Sequence, residues 1–283
     1  MNRRRSHDAR RAGDLKPATR TRPVIAALSL LTVIVTACGS STSSSTPGPA
    51  SGQSGGAPTL SGSITVFAAA SLTEAFKDAE KTLEQRHPGF VATYSFAGSQ
   101  QLVTNINNGA PADVIATADM KTMQALVSAQ LVETPQTFAR NTLQIAVAKG
   151  NPKGIRSLAD LANPAIAVVL ADPSVPAGNF ARRALQKAGV PVTPKSNELD
   201  VKSALQKVES GDADAAIVYA TDVSSASDKV DGIVIPDAQN VVAVYPIAVV
   251  RATRNREAAA GFVQEAVSGD VQKALRKRGF LAP

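Results

Sequence analysis

A chain of 283 residues with one cysteine, two histidines and no tryptophan carries no internal disulfide framework and lacks the ligands for a cysteine–histidine zinc site. Its formal charge of +7 would ordinarily direct attention to nucleic acid or an anionic membrane. However, the first 37 residues hold eight basic side chains against two acidic ones and so account for +6 of it. The remainder stands at +1, which removes the electrostatic case for a nucleic-acid partner.

Those basic residues (Arg3, Arg4, Arg5, Arg10, Arg11, Lys16, Arg20 and Arg22) precede an uncharged run over 23–38. Its apolar stretch, 24–35, is shorter than the roughly 20 residues that span a bilayer and ends in small side chains. The pattern predicts a cleaved secretory signal over 1–37, using the general secretory route. Val35-Thr36-Ala37-Cys38 resembles the bacterial lipobox. That resemblance implies lipidation at Cys38 and a mature protein held at the outer face of the cytoplasmic membrane; the alternative is a small buried hydrophobe that happens to end the signal. Residues 39–59 carry no charge, and eighteen of the twenty-one are Gly, Ser, Thr or Pro. Such a segment cannot bury enough apolar area to offset its ordering entropy, so 38–59 reads as the lipidated residue and a tether with a reach of roughly 25 Å.

From residue 60 the pattern alternates. An apolar strand over 64–69 gives way at Ser71 to a helix with Leu72, Ala75, Phe76, Ala79 and Leu83 on one face. Strand 90–96 with helix 100–107, and strand 113–117 with helix 120–129, repeat the unit. A second series follows: strands at 142–148 and 166–170, helix 180–188, a helix marked by Val201, Ala204, Leu205 and Val208, then strands at 215–219 and 232–235. A long apolar run over 241–250 contains Pro246, and helices over 256–267 and 271–278 close the chain. This is an α/β sequence of βαβ units with mostly parallel sheets. Two long strands, near Thr142 and Val241, bracket a complete α/β set, which predicts two lobes: 60–141 plus 243–283, and 142–242. The two crossing segments would form a hinge able to open and close around a ligand.

Enzymatic inventory is poor. Past the signal there is one histidine, His87, beside Pro88 at a predicted helix end, and no G-x-x-x-x-G-K-[ST] loop; the G-x-S-x-G match at Gly52-Gln53-Ser54-Gly55-Gly56 falls in the tether, not at a strand-to-helix elbow. The basic run Arg276-Lys277-Arg278 suits the last turn of a helix through the helix dipole. Strand-to-helix junctions are the informative positions, because ligands of open α/β sheets bind beyond the carboxyl ends of the strands. Ser71 and Ser99 stand at two of them, where serine is also an ordinary N-cap. Helix N-termini present unpaired N–H groups and a positive dipole end, so a dianion can be held there without lysine or arginine. About seven bonds at roughly 1.5–3 kcal/mol each give on the order of 10–20 kcal/mol gross. Dehydration of the anion takes back much of this, so every donor must be placed in advance.

The segment Ile64-Thr65-Val66-Phe67-Ala68-Ala69-Ala70-Ser71-Leu72-Thr73 resembles the opening strand and loop of periplasmic molybdate-binding proteins of ABC importers. Ser95-Phe96-Ala97-Gly98-Ser99, Gly109-Ala110-Pro111-Ala112-Asp113-Val114, Asp172-Pro173-Ser174-Val175-Pro176-Ala177-Gly178, Ile217-Val218-Tyr219-Ala220-Thr221-Asp222 and Tyr245-Pro246-Ile247-Ala248-Val249-Val250 resemble further family segments in the same order. The resemblance implies a two-lobed type II periplasmic-binding-protein fold. It also implies a receptor, not an enzyme, that takes molybdate or tungstate through its oxygens, without a metal–protein bond or a cofactor. Ser71 and Ser99 would donate from one lobe, and Ala177, Val201 and Tyr219 from the other. Val201 would offer its N–H just after Asp200, a cap, and Asp222 would cap a helix without touching the anion. Gly98 departs from a serine-rich loop and would supply an amide only. The partner would be an ABC permease, the receptor a monomer. Other readings are a receptor for another oxyanion or an organic acid, which would usually recruit an arginine, and an enzyme on the same fold, which would need an acid–base pair in the cleft. A regulatory effector domain is opposed by the export signal.

Overall fold

The computed structural model describes residues 60–283. The expected signal, Cys38 and tether lie outside the described residues. In chain order the strands are β1 (Gly62–Ala69), β2 (Phe90–Ala97), β3 (Val114–Ala116), β4 (Gln136–Asn141), β5 (Leu143–Ala148), β6 (Val168–Ala171), β7 (Ser196–Glu198), β8 (Ala215–Tyr219), β9 (Val230–Val234) and β10 (Ala243–Val249). The α-helices are α1 (Thr73–Arg86), α2 (Ser99–Asn107), α3 (Met120–Ser128), α4 (Pro176–Ala188), α5 (Val201–Glu209), α6 (Ala220–Ser225), α7 (Arg256–Ser268) and α8 (Asp270–Lys277). They build two five-stranded sheets with orders β2-β1-β3-β10-β4 and β7-β6-β8-β5-β9. In each, the strand adjoining a crossing runs against its neighbours: β10 pairs antiparallel with β3 and β4, and β5 with β8 and β9. This is the two-lobed type II periplasmic-binding-protein fold.

Local sequence explains the elements. β3 and β8 are buried along their whole length because helices cover both faces, so they read as unbroken apolar runs. α1 buries Ala75, Phe76, Ala79 and Leu83, one stripe at helical spacing. α4 starts with Pro176, where the missing N–H costs nothing. It stops at Gly189, whose φ of 67° lets the chain turn while Val190 N–H donates to Leu185 O at 3.0 Å.

Three elements escape the sequence pattern. β4 contains Arg140 and pairs with β10 and, through a single bridge at Arg140, with Leu281, and β7 (Ser-Asn-Glu) pairs with β6 alone. Edge strands need no apolar alternation, so neither announces itself. α6 has six residues, too few for a period. The strand expected over 166–170 begins later, at Val168, because the Ala167 N–H is taken by Asp214 Oδ2 at 2.8 Å. Pro246 lies inside the central strand β10, normally barred to proline. The ladder accommodates it with a register shift between Tyr245 and Pro246.

The chain passes between the sheets twice, at Thr142 and over 235–242. Asn240 stitches these passages together. Its Oδ1 accepts from Leu143 N–H at 3.0 Å and Val241 N–H at 2.8 Å, and its Nδ2 donates to Leu143 O at 3.0 Å and Ile235 O at 3.1 Å. Asn141 Nδ2 donates to Thr221 Oγ1 at 2.8 Å across the same junction. A fully satisfied buried amide fixes backbone geometry more tightly than apolar packing does, so the two crossings are tied together at one defined point.

Candidate anion-binding site

The carboxyl ends of β1, β2, β6, β7 and β8 converge on one cavity, each followed by the start of a helix. From the first sheet come Ser71, in a 3-10 turn over Ala70–Leu72, and Gly98 and Ser99 at the start of α2. From the second come Pro176 and Ala177 at the start of α4, Val201 at the start of α5, and Tyr219, which precedes α6. The five residues singled out from the sequence thus line one space. First-turn N–H groups have no partner within their own helix, so several amide dipoles point the same way.

Charge is nearly absent from the lining. No lysine or arginine contributes to it, and its one carboxylate, Asp200, is turned to cap α5, accepting from Ser203 N–H at 2.9 Å. The cavity is small, about 10 Å³, far below the roughly 300–1,000 Å³ typical of organic-ligand pockets, so a cofactor-sized molecule does not fit it. Among the described residues no group of three or more His, Cys, Asp or Glu side chains could hold a metal ion.

The serines do not behave as helix caps. α1 is preceded by Leu72 with no side-chain cap, while Ser71 Oγ lies 3.0 Å from the Tyr245 hydroxyl. Gly98 precedes α2, and Ser99 Oγ accepts from Ala118 N–H at 3.0 Å. The expectation of ordinary N-caps is therefore corrected at both positions. With one lone pair of Ser99 occupied from behind, its own proton is free to point into the cavity. Ala118 and Tyr245 were not foreseen, because neither is near its serine in sequence.

Tyr219 is 1% exposed and its hydroxyl has no hydrogen-bond partner of good geometry among the described residues. Burial first, then the neighbouring Tyr245, hold its pKa well above the ordinary phenol value. It keeps its proton at physiological pH, and from the cavity wall that proton is available to an acceptor. Asp222 accepts from Tyr219 N–H at 3.2 Å and stands 3.4 Å from Lys202 Nζ. Burial raises its pKa against the opposing pull of Lys202. It serves α6 as a first-turn acceptor, and it does not line the cavity.

Two glycines are sterically required. A Cβ on Gly98 would meet Leu199 O, from the other lobe, at 2.8 Å, so the lobes close over this position. One on Gly178 would overlap the carbonyls of Ala171 and Asp172, on which α4 rests. Gln100 Nε2 also reaches Leu199 O, at 3.2 Å, and Lys202 Nζ lies 3.7 Å from Glu74 Oε1 across the cleft.

A family model described as bacterial extracellular solute-binding protein matches residues 64–281. This chain belongs to that family. Among curated relatives, the molybdate-binding protein ModA of Mycobacterium tuberculosis is 40% identical over 256 residues, which cover 90% of this chain and 95% of the relative. ModA of Escherichia coli is 36% identical over 206 residues, 69% of this chain and 79% of the relative. Among solved structures, the periplasmic molybdate-binding protein of Azotobacter vinelandii superposes with a TM-score of 0.67 over 78% of this chain and 99% of its own, at 18% identity.

Proposed function

We propose that this protein is an extracytoplasmic receptor that binds molybdate, and also tungstate, between its lobes and delivers it to an ABC permease. The observation that carries the reading is the convergence of five helix starts and two serine hydroxyls on a small cavity that no cation lines. Neutral, preplaced donors suit a dianion that must be released again, since a lysine or arginine would deepen the well. The likeness to ModA relatives supports molybdate in particular. The anion is cargo bound through its oxygens, and no chemistry is done on it.

The lobes comprise 60–141 with 243–283, and 142–242, and close about the Asn141 and Asn240 junction. Ser71, Ser99 and Tyr219 donate from side chains, and Ala177 and Val201 from backbone. The lipobox-like Val35-Thr36-Ala37-Cys38 and the charge-free tether support a monomer anchored through lipid at Cys38 to the outer face of the cytoplasmic membrane.

Isothermal titration of the purified protein with molybdate, tungstate, sulfate and phosphate tests the ligand. Molybdate should bind with Kd below about 1 μM, which requires about −8 kcal/mol; failure to bind below 10 μM would overturn the assignment. Cys38→Ala should shift the protein from the membrane to the soluble fraction, and continued membrane retention would remove the anchor.

A further inference from the structure

The Ser71 hydroxyl rests on a second hydroxyl, that of Tyr245, 3.0 Å away and wholly buried. Tyr245 reaches this position through the irregularity in β10: the ladder changes register between Tyr245 and Pro246, and such a bulge re-aims the side chain beside it. Its ring is held on several sides, edge-on to Phe138, Phe280 and Tyr219 at centroid distances of 6.4, 5.5 and 5.8 Å. The phenol cannot swing away from Ser71 without disrupting that packing. Tyr245 does not line the cavity. It touches a residue that does.

Each of the two hydroxyls has one proton and can either give or accept. An anion in the cavity resolves the choice. Ser71 must turn its proton toward the anion's oxygen, which leaves its Oγ to accept from Tyr245. Ser99 shows the same arrangement, with the Ala118 N–H as the donor behind it. In both cases a second donor occupies one of the two serine lone pairs, so the serine's own proton is the group left to face the cavity.

Resting on the oxyanion-receptor reading above, we infer that Tyr245 is a positioning and specificity-determining residue. Its O–H donates to Ser71 Oγ and directs the Ser71 proton into the cavity, so that Ser71 meets a ligand oxygen as a donor. Chained hydrogen bonds of one direction polarise each other, so the Ser71 bond to the anion is strengthened as well as aimed. The ligand class this selects is the fully deprotonated tetrahedral dianion. Hydrogen phosphate has a proton that needs an acceptor, and a serine held with its own proton toward the ligand is a poor one.

The test is Tyr245→Phe, which keeps the ring and removes the hydroxyl. Titration with molybdate, sulfate and inorganic phosphate should give a molybdate Kd weakened roughly tenfold. The molybdate-to-phosphate preference should fall while the molybdate-to-sulfate preference stays within about twofold. Sulfate and phosphate gaining together would mean a loosened cavity and would overturn the inference. So would molybdate binding within twofold of the unaltered protein. Should the variant not fold, the unaltered protein still decides: it has three tyrosines, and with 13Cζ-labelled tyrosine the Tyr245 resonance should shift on adding molybdate. An unmoved resonance in a protein that binds molybdate refutes the relay. A protein that does not bind molybdate refutes the receptor reading instead.

Discussion

The two lobes meet the same cavity with different chemistry. The first offers side-chain hydroxyls, Ser71 and Ser99, each with a donor behind it. The second offers the backbone of Ala177 and Val201 and one phenol, Tyr219. A hydroxyl can be lost by a single substitution, whereas a backbone amide persists through almost any. The first lobe is therefore where substitution should tune affinity, and the second is where affinity should resist it.

The double substitution Ser71→Ala with Ser99→Ala gives the largest expected effect. Losing two bonds to a charged acceptor, each worth about 1.5–3 kcal/mol, should weaken molybdate binding by on the order of 10²–10⁴-fold, and the thermal midpoint should fall too, because the buried Ala118 N–H and Tyr245 hydroxyl lose their partners. Calorimetry beside a melting curve checks both. Next is Val201→Pro. Val201 is the first residue of α5, and Asp200 before it is extended, so proline fits the backbone there and removes the N–H. Affinity should fall roughly tenfold, while Val201→Ala should leave it within twofold; equal effects from the two would show that the valine side chain matters, not its amide.

Gly98→Ala probes the closure that brings the lobes together. The new Cβ meets Leu199 O at 2.8 Å, so the lobes must stand apart, and affinity should drop several-fold. Small-angle scattering should show a larger radius with ligand present than the unaltered protein has, and an unchanged radius would place the contact elsewhere.

The smallest effect belongs to Asp222→Asn. Burial raises the Asp222 pKa in the folded state. A raised carboxyl adds stability below its unfolded value, near 3.8, and that contribution is lost as pH climbs through the folded value. The Asn variant should then melt at or slightly above the unaltered protein at pH 7, with the gap closing toward pH 4. A variant that is less stable at pH 7 would show that the pair with Lys202 outweighs burial.

Much of this was legible in the sequence because it depends on neighbours along the chain. The α/β alternation follows from apolar periodicity, and Asp200 as the cap of α5 needs only three residues to form. What escaped lacks a local signature. β4 and β7 are edge strands without alternation, and Pro246 reads as an interruption until a bulge is seen to absorb it. The capping role expected of Ser71 and Ser99 failed because Tyr245 and Ala118, far away in sequence, occupy their hydroxyls instead.

By itself the sequence determined the strands and helices whose apolar pattern is regular, and its resemblance to a known family pointed to the five residues that line the cavity. The tertiary structure alone decided which way those groups face. Ser71 turns toward Tyr245, Ser99 toward Ala118, and Gly98 makes room for Leu199. A hydroxyl's direction depends on what lies behind it in space, and a glycine's necessity depends on the backbone that approaches it. Neither is written in the residues alongside.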